Sequence, residues 1–128
     1  MIESFKRPLH TIIPGLITNS NNEPILSYGV MGGQYQPVGH SHVLQNIFDF
    51  NLSIQEAIDF PRAFILENKY KLEKSIPEEI LNRLITVGHK AEYSKDAHGG
   101  GQAIFIDREK GVLIGGSDSR KDGCATGY

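Results

Sequence analysis

The strongest constraint on the fold of this chain is a pair of strand-like segments whose residues are apolar without alternation. Ala103 to Asp107 and Val112 to Ile114 flank a turn at Arg108 to Gly111, which predicts a β-hairpin. Continuously apolar strands are typical of sheets that are covered on both faces. The helices of this chain suffice for one face, so the fold needs at least three layers and a partner for the other face. We expect the chain alone to form a homodimer or to expose a large apolar patch.

A second hairpin is predicted near the start of the chain. The runs Leu9 to Thr18 and Ile25 to Val30 are rich in β-branched and aromatic residues, and turn formers separate them at Asn19 to Pro24. The second run leads into Gly32 and Gly33, where we expect the strand to give way to a helix.

Three helices are predicted between the hairpins. The first runs from Pro37 to Phe50 on a helical spacing of apolar residues. A capping box at Ser53 to Glu56 opens the second, Ile54 to Phe60, and Pro61 ends it. A similar box at Ser75 to Glu78 opens the third, which ends at Gly88. The order of elements predicts one mixed α/β (α+β) domain over residues 1–128, with antiparallel strand pairing.

Composition excludes several classes of protein. The 128 residues carry a formal charge of −2, which argues against a partner nucleic acid or a membrane surface. Cys124 is the only cysteine, which excludes an internal disulfide framework and zinc sites built from two or four cysteines. No apolar run approaches the roughly 20 residues that span a bilayer. Composition leaves the compartment undetermined, with the cytoplasm favoured.

Two groups of residues are candidates for chemistry. Gly32 and Gly33 form either an anion cradle, because glycine lets successive backbone N–H groups converge on one oxygen, or a tight turn. Arg7, His10 and Thr11 bring a cation, an imidazole and a hydroxyl together, which suits either a carboxylate site or the solvated edge of a sheet.

The remaining motifs predict structural roles. Gly99 to Gly101 precedes a strand and is expected to be a closely packed loop. His40 and His42 are two residues apart and do not share a helix face, so no metal site is expected. Cys124 has no histidine adjacent in sequence and is not expected to be a nucleophile. The alternating charges from Asp118 to Asp122 predict an ion-paired surface or a turn without a catalytic role. No cofactor is expected.

Four segments, in the same order along the chain, resemble the γ-glutamyltransferase family of N-terminal-nucleophile hydrolases. They are Arg7 to Thr11, Tyr28 to Gly33, Leu44 to Arg62, and Gly101 to Ile104 running on to Gly115 to Gly123. The resemblance covers nearly the whole chain. It implies a four-layered αββα sandwich with antiparallel sheets, of which this chain is the C-terminal portion of the small, catalytic subunit.

The resemblance also implies a reaction. In this family a precursor cleaves itself so that a threonine becomes an N-terminal nucleophile, which attacks a γ-glutamyl amide such as glutathione and passes the acyl group to water or an amine. By position, Gly32 and Gly33 would form the oxyanion hole and His10 and Thr11 would bind the substrate carboxylate. Family members carry two hydroxyl residues at the latter positions, and His10 departs from them. Hydrolysis of another small amide therefore remains an alternative.

The resemblance assigns the nucleophile to another segment. All four threonines, Thr11, Thr18, Thr86 and Thr126, are internal to the sequence. We therefore expect the chain to be inactive alone and to need the upstream large subunit and the threonine-bearing segment as partners. The alternative is a stand-alone module that keeps the scaffold and acts as a non-catalytic binding or structural protein.

Overall fold

The computed structural model describes residues 2–127, whose strands form a four-stranded and a three-stranded sheet. The elements, in chain order, are β1 (Gly15–Thr18), β2 (Pro24–Met31), α1 (Gln36–Phe48), α2 (Ile54–Asp59), β3 (Ala63–Leu66), β4 (Lys69–Leu72), α3 (Glu78–Thr86), β5 (Ala91–Tyr93), β6 (Gly100–Asp107) and β7 (Val112–Ser117). Short 3-10 turns cover Gly33–Tyr35 and Ser119–Lys121. The architecture is the mixed α+β fold with antiparallel sheets that the sequence predicted.

The larger sheet joins the two predicted hairpins in the order β1-β2-β6-β7, with every pair antiparallel. The first strand is shorter than predicted because it begins only at Gly15, after Pro14, which has no N–H to donate to a sheet. In the turn that follows, the Asn19 side chain accepts hydrogen bonds from the N–H groups of Asn21 and Glu23.

The smaller sheet was not predicted from the sequence. Its strands β3 and β4 are antiparallel, and β4 pairs with β5 in parallel because α3 carries the chain back between them. The parallel pair is an exception to the predicted antiparallel arrangement. Its strands are only three or four residues long, too short to show a clear hydrophobic period.

The helix boundaries follow the predictions except at the start of α3. The capping box of α2 is present: the Ser53 hydroxyl accepts from the Glu56 N–H, and the Glu56 carboxylate accepts from the Ser53 N–H. The box predicted at Ser75 is wrong. Pro77, in an extended conformation, is the N-cap of α3, so Glu78 is its first residue and no side chain caps the helix.

Helices α1 and α2 cover one face of the larger sheet. The buried core between these helices and the sheet consists of Leu26, Tyr28, Val30, Tyr35, Val43, Ile54, Ile58 and Ala103. Gly116 permits the close approach of α2, because a Cβ there would lie 2.6 Å from Cγ2 of Ile54. The helical cover on this face places the end of β2, with the glycine pair that follows it, beside α1.

The opposite face of the larger sheet is open within residues 2–127. Its exposed apolar side chains are Leu16, Met31, Ile104 and Leu113, and Leu113 is 68% exposed. In the last hairpin, Ala103 lies in the core and Phe105 packs against it, whereas Ile104 and Leu113 on the other face are exposed. The unbroken apolar sequence therefore leaves one sheet face without a cover within residues 2–127.

Two charges of the segment Asp118 to Asp122, those of Asp118 and Arg120, belong to a buried network, so the predicted ion-paired surface is wrong for Asp118. The predicted turn is present at Ser119–Lys121, and Lys121 and Asp122 are exposed. Asp118 and Arg62 are fully buried and form an ion pair of 2.8 Å, and Asp118 also accepts from the Gly101 N–H at 2.6 Å. Arg120 forms an ion pair of 2.6 Å with Glu73. The network ties the end of β7 in the larger sheet to the segments that flank β3 and β4 in the smaller one.

The two buried carboxylates are held in their charged forms. Burial alone would raise the pKa of Glu73, but hydrogen bonds from Arg120 and from the N–H groups of Arg62 and His98 outweigh it and lower the pKa. Burial likewise opposes the charge of Asp118, yet donors from Gly101, Arg120 and Arg62 lower its pKa. The network therefore stabilises the fold only while both carboxylates are ionised.

We predict that acid destabilises the chain through this network. A group whose pKa is lowered on folding stabilises the folded state at pH values above its pKa in the unfolded chain, which is near 4 for a carboxyl. This stabilisation is lost as the pH falls through the pKa of the folded state. The free energy of unfolding in urea should therefore fall steadily below about pH 4. Asp118→Asn should lose about 3–5 kcal/mol at pH 7, because it leaves Arg62 buried without a counter-charge.

The matched control is Glu67→Gln, in an exposed turn, because the Glu67 carboxylate forms no hydrogen bond or ion pair within residues 2–127. This variant should keep the wild-type stability and its acid dependence. Equal stability of Asp118→Asn and the wild type at pH 7 would contradict a structural role for the buried pair.

The open sheet face predicts self-association of the isolated chain. Sedimentation velocity should show a concentration-dependent species larger than the monomer, because water contact with the apolar side chains is unfavourable. Leu113→Lys should weaken this association by placing a charge on the face. A monodisperse, compact monomer at all concentrations would contradict the inference that the face needs a cover.

Candidate functional site

The glycine pair lies at the junction of β2 and α1. Strand β2 ends at Met31, and Gly32 and Gly33 then adopt φ values of +143° and +58°. A residue with a side chain strongly disfavours φ of +143°, so position 32 requires glycine. The Tyr35 N–H donates to the Gly32 carbonyl oxygen at 3.1 Å, which closes the turn that begins the helical segment.

The N–H groups of this pair remain available to a ligand. Within residues 2–127, neither the Gly32 nor the Gly33 N–H donates to a protein acceptor, and the β2–β6 pairing stops one residue earlier, at Met31 and Gly100. Successive N–H groups in such a conformation form a concavity suited to an anion. The pair thus forms the predicted turn, and it leaves free the two N–H groups that an anion cradle would use.

Gly32 lines a cavity of about 470 Å³ at the surface of the molecule. The other walls include Tyr35, Phe64, His98 and Lys121. Burial raises the pKa of Tyr35 to about 12, so its phenol is neutral at physiological pH. The cavity wall includes Gly32, whose N–H is free within residues 2–127, and Lys121, which suits an oxygen-rich or negatively charged group.

The residues predicted to hold a carboxylate do not converge on one point. His10 and Thr11 are exposed in the segment before β1. Thr11 lines a second cavity, of about 330 Å³, and its carbonyl oxygen accepts from Nε2 of Gln36 at 3.1 Å. His10 is not among the residues that line it. Met31 lines both cavities, so it lies between Thr11 and the glycine pair.

The histidines of α1 have separate surroundings. Nδ1 of His40 lies 2.8 Å from the Gln36 carbonyl oxygen, and its Nε2 accepts from the Val30 N–H at 3.4 Å. The His42 ring instead packs on Phe60. Within residues 2–127, no three His, Cys, Asp or Glu side chains are grouped as metal ligands, and no helix is long and apolar enough to cross a bilayer.

Sequence reasoning missed part of the cavity wall. Gly99 to Gly101 were predicted to be a packed loop, which is wrong for Gly100 and Gly101 because they begin β6. Gly99 and the preceding His98 line the cavity beside Gly32 because β6 pairs with β2. Lys121 was assigned to the surface charge cluster. The signal that could have found them is the glycine run itself, since glycines that precede a strand often mark a close approach of two backbones.

Comparison with known proteins shows a consistent set of relatives. The family model for gamma-glutamyltranspeptidase matches residues 1–128. The glutathione hydrolase proenzyme of Bacillus subtilis is 31% identical over 98% of this chain and 22% of its own length. The oxamate amidohydrolase proenzyme of Klebsiella pneumoniae is 30% identical over 96% of this chain and 25% of its own length.

Solved structures share the fold. Gamma-glutamyltranspeptidase of Helicobacter pylori, as the T380A mutant, superposes with a TM-score of 0.80 at 30% identity, over 93% of this chain and 66% of that chain. Cephalosporin acylase from Bacillus halodurans gives a TM-score of 0.85 at 41% identity, over 99% of this chain and 25% of that chain. This chain thus spans only about a fifth to a quarter of the length of the two curated relatives named above.

Proposed function

The chain belongs to the gamma-glutamyltranspeptidase family, and on that premise we propose that it is the C-terminal part of the small, catalytic subunit of an amide-cleaving enzyme. In this proposal Gly32 and Gly33 supply the oxyanion hole, and another segment supplies the nucleophilic threonine. The observation that carries the proposal is the pair of unpaired N–H groups directly after a central strand, where Gly32 also lines a cavity.

The proposed reaction is acyl transfer through the threonine. Its α-amino group takes the hydroxyl proton while the oxygen attacks the amide carbon, and the carbonyl oxygen becomes an oxyanion. The N–H groups of Gly32 and Gly33 donate to this oxyanion. Collapse of the tetrahedral intermediate breaks the C–N bond, the α-ammonium group returns its proton to the leaving amine, and an ester remains on the threonine. Water or a second amine then attacks the ester and takes the acyl group.

The proposed substrate is a small amide whose acyl part carries a carboxylate. Thr11, at the second cavity, is the residue best placed to bind that carboxylate, and the exposed His10 would lie at its edge. Met31, shared by the two cavities, would contact the chain between carboxylate and amide. A γ-glutamyl amide of the glutathione type fits this order of groups.

A second candidate is hydrolysis of another small amide. His10 replaces one of two hydroxyl residues expected in the carboxylate site, and an imidazole differs in both volume and hydrogen-bond geometry. The relatives include an oxamate amidohydrolase and a cephalosporin acylase. A comparison of γ-glutamyl-p-nitroanilide with oxamate as substrates for the assembled enzyme decides between the two candidates.

The open sheet face supports the proposed partner. The glutathione hydrolase and oxamate amidohydrolase relatives are proenzymes about four times longer than this chain, so these relatives include polypeptide beyond the matched region. A second sheet from the large-subunit and threonine-bearing segment would bury Leu16, Ile104 and Leu113, and it would complete a four-layered sandwich.

The proposal predicts that activity depends on assembly. The isolated chain should release no p-nitroaniline from γ-glutamyl-p-nitroanilide, because the nucleophile lies elsewhere. Addition of the threonine-bearing segment should restore release, and the same segment with its first threonine replaced by alanine should not. Turnover by the isolated chain would refute the assignment of the nucleophile to another segment.

The oxyanion hole is tested by Gly33→Ala in the assembled enzyme. A Cβ at Gly33 meets nothing within 4 Å, so the fold should persist, but φ of +58° is unfavourable for alanine and the N–H should turn away from the oxyanion. Loss of one such donor should lower kcat by about 100- to 1,000-fold.

The matched control is Gly111→Ala, in the β6–β7 turn. Its φ is +66° and its Cβ also meets nothing within 4 Å, so the backbone strain is the same at a site remote from the cavity. This control should turn over normally. A near-normal rate for Gly33→Ala would remove that residue from the mechanism.

A further inference from the structure

The turn at His98 and Gly99 lies directly against the glycine pair. Gly99 has φ of +65°, and a Cβ there would overlap the carbonyl oxygen of Met31. A Cβ at Gly32 would lie 2.9 Å from the Gly99 Cα. The two backbones are therefore in contact with no room for a side chain at either position.

This contact constrains the direction of the Gly32 N–H. The Met31 carbonyl oxygen and the Gly32 N–H belong to the same peptide group, which is planar and trans, so the oxygen and the hydrogen point in opposite directions. An obstacle at the oxygen therefore limits rotation of the whole group. Because Gly99 fills the space beside that oxygen, it limits where the N–H on the other side can point.

The turn is itself held on several sides. The His98 carbonyl oxygen accepts a hydrogen bond from Nη1 of Arg62 at 2.7 Å, and the backbone N–H of His98 donates to Oε1 of Glu73 at 3.1 Å. The ring Nε2 forms a 2.8 Å hydrogen bond with the Lys71 carbonyl oxygen, and the ring stacks on Tyr35 with centroids 5.7 Å apart. The main chain of His98 is thus attached to both buried ion pairs.

We propose that His98 and Gly99 are positioning residues, which hold the Met31–Gly32 peptide so that the Gly32 N–H points at the reacting carbonyl oxygen. This inference rests on the proposed function of the glycine pair. The buried network holds His98, His98 places Gly99, and Gly99 limits the rotation of the peptide. Both residues line the same cavity as Gly32, and in this role they act through the Gly32 N–H and not through a contact with the substrate.

The test compares Gly99→Ala with Gly111→Ala in the enzyme assembled with its threonine-bearing segment. The two glycines have φ of +65° and +66°, so the added backbone strain is matched, and only the first methyl meets the Met31 oxygen. Gly99→Ala should lower kcat about 10- to 100-fold with KM nearly unchanged, because an oxyanion exists only in the transition state and the intermediate. An acylating inhibitor that labels the nucleophilic threonine counts the active sites, and kcat is expressed per labelled site. A smaller amount of folded enzyme therefore does not lower the kcat value.

Nuclear magnetic resonance of the ¹⁵N-labelled chain in the same complex gives a readout independent of turnover. Gly99→Ala should shift the Gly32 amide resonance, and Gly111→Ala should not. His98→Phe keeps a ring between Tyr35 and Phe64 but removes the bond to Lys71, so it should produce a smaller change of the same kind. It replaces Gly99→Ala as the deciding variant if the latter does not fold.

The outcomes separate the two proposals. If the wild-type complex cleaves no amide, the proposed function fails, and the Gly32 resonance still decides whether the turn holds the peptide. If Gly33→Ala abolishes turnover while Gly99→Ala and His98→Phe match Gly111→Ala in kcat or in the Gly32 resonance, the positioning role is overturned.

A double variant gives a further test of the shared N–H. Combination of Gly99→Ala with Gly32→Ala should lower kcat no more than Gly32→Ala alone, because both changes disturb the same N–H.

Discussion

The buried carboxylate of Asp118 is the group on which the arrangement of this molecule depends. It accepts hydrogen bonds from the Arg62 guanidinium and the Gly101 N–H, and Arg120 joins it to Glu73. A buried ion pair stabilises a fold only when hydrogen bonds compensate for lost hydration. Here most of the polar atoms have partners, so the two sheets are fixed relative to each other, and the walls of the main cavity are fixed with them.

The connection from this network to the cavity is short. Arg62 and Glu73 bind the main chain of His98 from opposite sides, and the residue after His98 is in contact with the end of β2. The N–H groups of Gly32 and Gly33 therefore lie at the end of a series of rigid contacts. Such preorganisation is what an oxyanion hole requires, because donors that must reorient during the reaction stabilise the developing charge less.

Local sequence patterns predicted the parts of the fold that local interactions determine. The hairpin at Asn19 to Pro24, the capped helix α2 and the open sheet face all follow from residues close together in the chain. The buried network could not be predicted in this way, since Arg62 and Asp118 are separated by 56 positions and their side chains are usually found on surfaces. The short strands of the smaller sheet were missed for the same reason, because tertiary contacts stabilise them more than their own periodicity does.

The candidate site was predictable to a similar degree. The position of Gly32 and Gly33 between a strand and a helix indicated a backbone site, and a motif shared with a known family indicated an anion. The sequence did not indicate that Gly99 is adjacent to Gly32, since only the β2–β6 register brings them together. It also did not indicate that His10 and Thr11 differ in their position relative to the second cavity.

The most direct test of the account is a crystal structure of the assembled enzyme with a boronate that forms a tetrahedral adduct on the threonine. The account predicts one boronate oxygen within about 2.7–3.1 Å of the backbone nitrogens of both Gly32 and Gly33. An adduct whose oxygens all bind other donors, with both glycine N–H groups directed away from it, would contradict the account.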